Sequence, residues 1–184
     1  MIQAENLGKR FGTAWVFRSL SFEVLPGQCL VVMGRNGAGK STLLKTLSGL
    51  ITPTEGKVSA DSAISHSALD QATYSELSPR EHLKFFDQTG DPDNWLAQVG
   101  LEVQAWDRPC GNLSTGMRAR VKLAIALQSK RKILLLDEPS AGIDEAGRAV
   151  FASAIQSVLS DRGVVILATN DQLDRRLATH ELEL

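Results

Sequence analysis

Residues 34–42 read GRNGAGKST, which fits the pattern G-x-x-x-x-G-K-[ST], and the residue types suit a polyphosphate. Gly34, Gly37 and Gly39 let the chain turn without Cβ atoms in the way, so that backbone N–H groups point inward at phosphate oxygens. Arg35, Asn36 and Ala38 complete the cradle. Lys40 brings a positive charge to the β/γ position, and the Ser41 hydroxyl is a hard oxygen ligand suited to Mg²⁺. From Thr42 the chain runs TLLKTLSGL, apolar at helical spacing, so the loop opens a helix whose N-terminal dipole also favours anions. A glycine-rich turn with a chance lysine is the competing reading. It does not require CLVVM at 29–33, an apolar run bounded by turn residues that reads as the buried strand such a loop must leave.

Two further strings carry groups that could act on the same ligand. KILLLDE at 132–138 is an apolar run ending in Asp137 and Glu138. At the end of a buried strand of a phosphate-loop enzyme, an aspartate orients Mg²⁺ and an adjacent glutamate can polarise a water for in-line attack on the γ-phosphate. Two solvated charges closing a strand before Pro139 would look the same in isolation. LSTGM at 113–117 reads by its residue types as a helix start, with Ser114 as N-cap.

These groups converge only if strands and helices alternate around them. Strand patterns fall at 2–7, 16–24 and 29–33, with Pro26-Gly27 turning between the last two. A helix from Lys40 ends near Gly49, a further strand is expected at 56–60 and a weak one at 63–66. Helical texture starts at Pro79 and returns at 93–99 and 116–129. Beyond KILLLDE come an amphipathic helix at 144–160, a buried strand VVILA at 164–168, a short helix at 171–178 and a last strand at 181–184. The fold class expected is α/β: a mostly parallel sheet with helices on both faces, an antiparallel N-terminal β part, and a short helical insert. One domain spans 1–184, with a core of about 1–66 and 130–184 and a helical part of about 67–129.

The bulk properties exclude several classes. The chain has 184 residues, 43% of them hydrophobic, enough for one compact core. A net charge of −1 gives no basic footprint for nucleic acid. No apolar run approaches membrane-spanning length, and MIQAENLGKRF at the start lacks the apolar segment of a signal peptide. Cys29 in a core strand and Cys110 in a loop read as reduced thiols of a cytosolic protein.

Taken together, GRNGAGKST, LSTGM and LLLDEP resemble the ATP-binding-cassette (ABC) superfamily over nearly the whole chain. Leu113-Ser114-Thr115-Gly116-Met117 is similar to that family's L-S-G-G-Q signature, with Thr115 and Met117 as departures and Ser114 and Gly116 kept. The resemblance implies ATP and Mg²⁺ as ligands, with Ser114 and Gly116 approaching the γ-phosphate. It places Phe11 where an aromatic stacks on adenine, against a core role for that ring. It makes Ala141-Gly142-Ile143-Asp144 a loop that crosses to a partner subunit, and it aligns LSPREHL at 77–83 with the opening of a helical subdomain. Two sites depart from the family pattern. Spacing puts the family's metal-contacting glutamine at Leu69, and Gln71 is the nearest glutamine. The family's histidine after the last buried strand is Asn170 here, in ATND, so that with Glu138 it would complete the catalytic set; an amide donates a hydrogen bond but cannot become cationic.

The resemblance further implies a head-to-tail pair, with a second copy or a related cassette, and separate transmembrane permease subunits. The chain would then be a cytoplasmic motor held peripherally at the inner face of the cell membrane. Its features look most like export-type cassettes, such as the ATPases of cytochrome c maturation haem exporters. The other reading from the same family is a soluble ATPase that remodels a cytosolic assembly such as an iron–sulfur cluster scaffold.

Overall fold

The computed structural model describes residues 1–67 and 73–184, so Gln71 and Leu69 lie outside the described residues. The chain divides into two compact units, the first comprising Met1–Ala68, Arg131–Glu138 and Val158–Leu184, the second Leu69–Lys130 and Pro139–Ser157.

In the first unit, β1 (Ile2–Phe11), β2 (Ala14–Val24) and β4 (Glu55–Ala60) form an antiparallel sheet in the order β2-β1-β4. A parallel sheet of order β5-β6-β7-β3-β8 is built from β3 (Cys29–Met33), β5 (Ile64–Ser67), β6 (Ile133–Asp137), β7 (Val164–Ala168) and β8 (His180–Glu183). The central strands CLVVM, ILLLD and VVILA are buried at every position. Strands covered on both faces read as continuous apolar runs and not as alternation, which is why these were visible in the sequence. The helix α1 (Lys40–Leu47) packs Leu43, Leu44 and Leu47 into a core with Ile2, Leu7 and Phe17 of the antiparallel sheet and Leu30, Ile133 and Ile166 of the parallel one. Leu43 and Leu44 are fully buried, and truncating either to alanine costs about 2–5 kcal/mol.

In the second unit, α2 (Pro79–Phe86), α3 (Pro92–Gln98) and α4 (Thr115–Gln128) pack on one another. Their starts are chemically marked. Ser78 and Glu81 form a reciprocal capping box around α2 with Pro79 in its first turn, and Asp91 caps α3 ahead of Pro92. Trp106 is buried with its indole N–H donated to the Leu101 carbonyl at 2.8 Å, and Gln128 donates to the Leu83 carbonyl at 2.9 Å. The division of the chain falls inside α5 (Glu145–Ser160).

The expected helix over 171–178 forms only one 3₁₀ turn, Asp174–Leu177. Local side chains compete for the backbone there. Asp171 accepts the Leu173 N–H at 2.9 Å, and Thr169 accepts the Asp171 N–H at 3.0 Å. The Thr169 hydroxyl in turn donates to the buried Asp174 at 2.9 Å.

Candidate functional site

Parallel register sets the site. Asp137 pairs with Ala168 across β6 and β7, and Ala168 pairs with Val32 across β7 and β3. Three strands therefore end level, and the residues that follow leave the sheet side by side at its carboxyl edge: Glu138, Thr169-Asn170 and the loop from Gly34. The Glu138 N–H donates to the Ala168 carbonyl at 2.8 Å, which extends the ladder by one residue. Glu138 itself adopts φ 47°, a left-handed conformation that is costly for a residue with a Cβ. Its carboxylate is thereby turned toward Lys40, 3.5 Å from Nζ.

Gly39 ends the loop and precedes α1 with φ 105°, and a Cβ there would lie 2.4 Å from Val16 Cγ1. Gly37, with φ 84°, has open space where its Cβ would be, so its requirement is conformational alone. No side chain caps α1, and the N–H groups of its first turn have no intrahelical carbonyl to meet. They remain for an anion. Lys40 is 5% exposed. Its ammonium donates to the Gly34 carbonyl and to Asn170 Oδ1, both at 2.8 Å. Asn170 is held at both side-chain polar atoms and at its backbone N–H, which donates to Glu138 Oε2 at 3.3 Å, while its Nδ2 donates to Asn36 Oδ1. Lys40, Glu138, Asn36 and Asn170 thus form one network.

Asp137 is 6% exposed, and its Oδ1 has no hydrogen-bond partner. A buried carboxylate oxygen without a donor is costly, and a divalent cation would satisfy it. The Ser41 hydroxyl, exposed in the first turn of α1, offers a second hard oxygen. This donor chemistry fits Mg²⁺. Phe11 sits at the β1–β2 turn and is 55% exposed, so it is not a core ring; Lys9 Nζ covers one face at 4.9 Å.

The second unit holds the remaining predicted residues. Ser114 caps α4 by accepting the Met117 N–H at 3.2 Å. Gly116 is buried, and a Cβ on it would lie 2.3 Å from the Gly142 carbonyl oxygen. The Asp144 carboxyl is held below its ordinary value, first by the Gly147 N–H and further by Arg120. Arg120 is not among the expected site residues; its only sequence signal is a charge within the helix expected at 116–129. Burial raises the Cys29 thiol to about 12 and the Cys110 thiol to about 11, so neither is a nucleophile at neutral pH.

A family model described as "ABC transporter" matches residues 17–141. The chain is 36% identical over 192 residues to the cytochrome c biogenesis ATP-binding export protein CcmA of Agrobacterium fabrum, covering 94% of this chain and 90% of the relative. It is 38% identical to the protein of the same name from Mesorhizobium japonicum, over 91% of this chain and 90% of that one. Among solved structures, it is similar to the dimeric post-hydrolysis state of the ATP-binding cassette MJ0796 bound to ADP and Pi, with a TM-score of 0.89 at 21% identity, over 100% of this chain and 94% of that one.

Proposed function

Because this chain belongs to the ABC transporter family and is an ATPase of that family, we propose that it is the motor of an exporter serving cytochrome c biogenesis. In this reading it works as a head-to-tail pair, cytoplasmic and peripheral on the membrane, with transmembrane subunits supplied as separate polypeptides. The observation that carries it is the CcmA likeness over nearly the full length, combined with the convergence of Lys40, Glu138 and Asn170 at one sheet edge. No helix among the described residues is long and apolar enough to cross a membrane. The whole chain, 1–184, acts as one cassette in this reading.

In this reading the residues take the following roles. The amides of Gly34, Arg35, Asn36, Gly37, Ala38 and Gly39, with those of Lys40, Ser41 and Thr42, take the phosphates of ATP. Lys40 exchanges its contacts with the Gly34 carbonyl and Asn170 for phosphate oxygens. Ser41 and Asp137 hold Mg²⁺, which supplies charge neutralisation at the phosphates; Gln71 is the further ligand that the family pattern suggests. Phe11 offers its uncovered face to the adenine. Glu138 orients a water and accepts its proton as the oxygen bonds to the γ-phosphorus and the bond to the β-phosphate oxygen breaks. Asn170 donates its amide hydrogen to the γ-phosphate once it leaves Asn36. Ser114, Gly116 and the Asp144 loop of a second copy close the site from the other side.

Glu138→Gln keeps the shape of the side chain and removes the base. Phosphate release should fall by about a hundredfold or more, and ATP should hold the chain as a dimer in sedimentation. The partner test is capture of the tagged Glu138→Gln chain with ATP from detergent-solubilised host cells. A co-purifying polytopic membrane protein is the expected outcome. Soluble partners alone, from an extract that retains other membrane complexes, would overturn the transporter reading in favour of cytosolic remodelling.

A further inference from the structure

The signature helix and the loop before α5 meet at one arginine. Arg120 lies on α4 with 17% of its side chain exposed. Nη2 donates to Asp144 Oδ1 at 2.7 Å, and Nη1 donates to the Gly100 carbonyl. The same Asp144 oxygen accepts the Gly147 N–H at 2.9 Å, which fixes the first turn of α5. Space around this contact is already used. A Cβ at Gly147 would lie 2.3 Å from Arg120 Nη2, and one at Gly116 would lie 2.3 Å from the Gly142 carbonyl oxygen. The loop thus rests on the first turn of α4 with no room for a side chain between them, and the guanidinium closes the ring from the other end.

We propose that Arg120 is a positioning residue that makes the LSTGM turn and the 140–144 loop one rigid body, a proposal that rests on the paired-chain reading above. An exposed ion pair by itself stabilises little. What the guanidinium adds is orientation, since a planar fork held by two fixed acceptors permits one arrangement. Ser114, Gly116 and Asp144 are then presented together to the second chain. Asp144 holds Arg120 and the α5 cap within its own chain, and through them sets how the loop meets the second chain.

The test uses Arg120→Gln, Asp144→Asn and the double variant in the full chain carrying Glu138→Gln. Asparagine caps a helix as well as aspartate does, so Asp144→Asn keeps the Gly147 contact and removes only the charge. In the nucleotide-free chain, hydrogen exchange should quicken several-fold in 114–118 and 140–147 together. With ATP, dimerisation measured by sedimentation should weaken roughly fivefold to tenfold in each single variant and little further in the double, because both abolish the same ion pair. Affinity of the dilute single chain for a fluorescent ATP analogue should stay unchanged. Faster exchange confined to 140–147, additive losses in the double, or unaltered dimerisation would overturn the clamp. If the Glu138→Gln parent itself forms no ATP-dependent dimer, the paired-chain reading falls, and the exchange pattern still decides the clamp.

Discussion

Asn170 follows the last buried strand, where the resemblance to the family implies a histidine, and its surroundings say what such an exchange would alter. Its amide accepts from Lys40 and donates to Asn36, bonds that hold a neutral group at fixed orientation. An amide does not titrate near neutrality, whereas an imidazole there would do so near 6.5. The ratio of Asn170→His turnover to parent turnover should therefore bend several-fold between about pH 6 and 8. A flat ratio would mean that the side chain at 170 does not touch the reacting phosphate. The loop glycines separate two physical costs. At Gly39→Ala a left-handed φ and the Val16 contact act together, and stability in a denaturant titration should drop by about 1–3 kcal/mol. At Gly37→Ala only the backbone conformation opposes the change, and the loss should stay near 1 kcal/mol. Equal losses would refute the assignment of Val16 as the steric neighbour that matters.

The starts of α2 and α3 hold ionised carboxylates, one by a local backbone donor and one by an arginine of the neighbouring helix, so this part of the protein should be acid-labile. Glu81 is held below its ordinary value of 4.5, first by the Ser78 N–H, and Asp93 below its ordinary 3.8, first by Arg80. A depressed folded value means that the stabilisation is complete above the unfolded value and lost as pH falls through the folded one. The helical signal of this unit should therefore hold at pH 5 and fall below about pH 4. Arg80→Gln removes the bidentate partner of Asp93, and should move the acid midpoint upward in a circular dichroism titration. An unmoved midpoint would show that the pair is solvated and contributes nothing. The same elements explain legibility: capping box, Pro at the first turn and Asp cap are local chemistry, readable without tertiary contacts. The short helix expected at 171–178 failed because Thr169, a buried residue of the site loop, draws Asp174 inward.

For the whole molecule, pairing should appear as stability. A ligand or partner that binds only the folded state raises its apparent stability with concentration. In the Glu138→Gln chain, saturating ATP should raise the melting temperature, and the rise should grow with protein concentration. A rise independent of protein concentration would indicate binding to single chains without pairing.

The sequence by itself determined the phosphate loop, the acidic strand end, the chain order of strands and helices apart from the helix expected at 171–178, and family membership. Each of these is written in contiguous residues whose spacing or burial imposes a local pattern. Only the tertiary structure decided which of them meet. The parallel sheet orders its strands β5-β6-β7-β3-β8, out of chain order, and that non-local pairing sets Asn170 against Lys40, 130 residues earlier. The Arg120–Asp144 contact spans 24 residues and joins α4 to the loop before α5, the next element but one. No local pattern encodes such contacts, because they depend on how the whole chain shares out its buried surface.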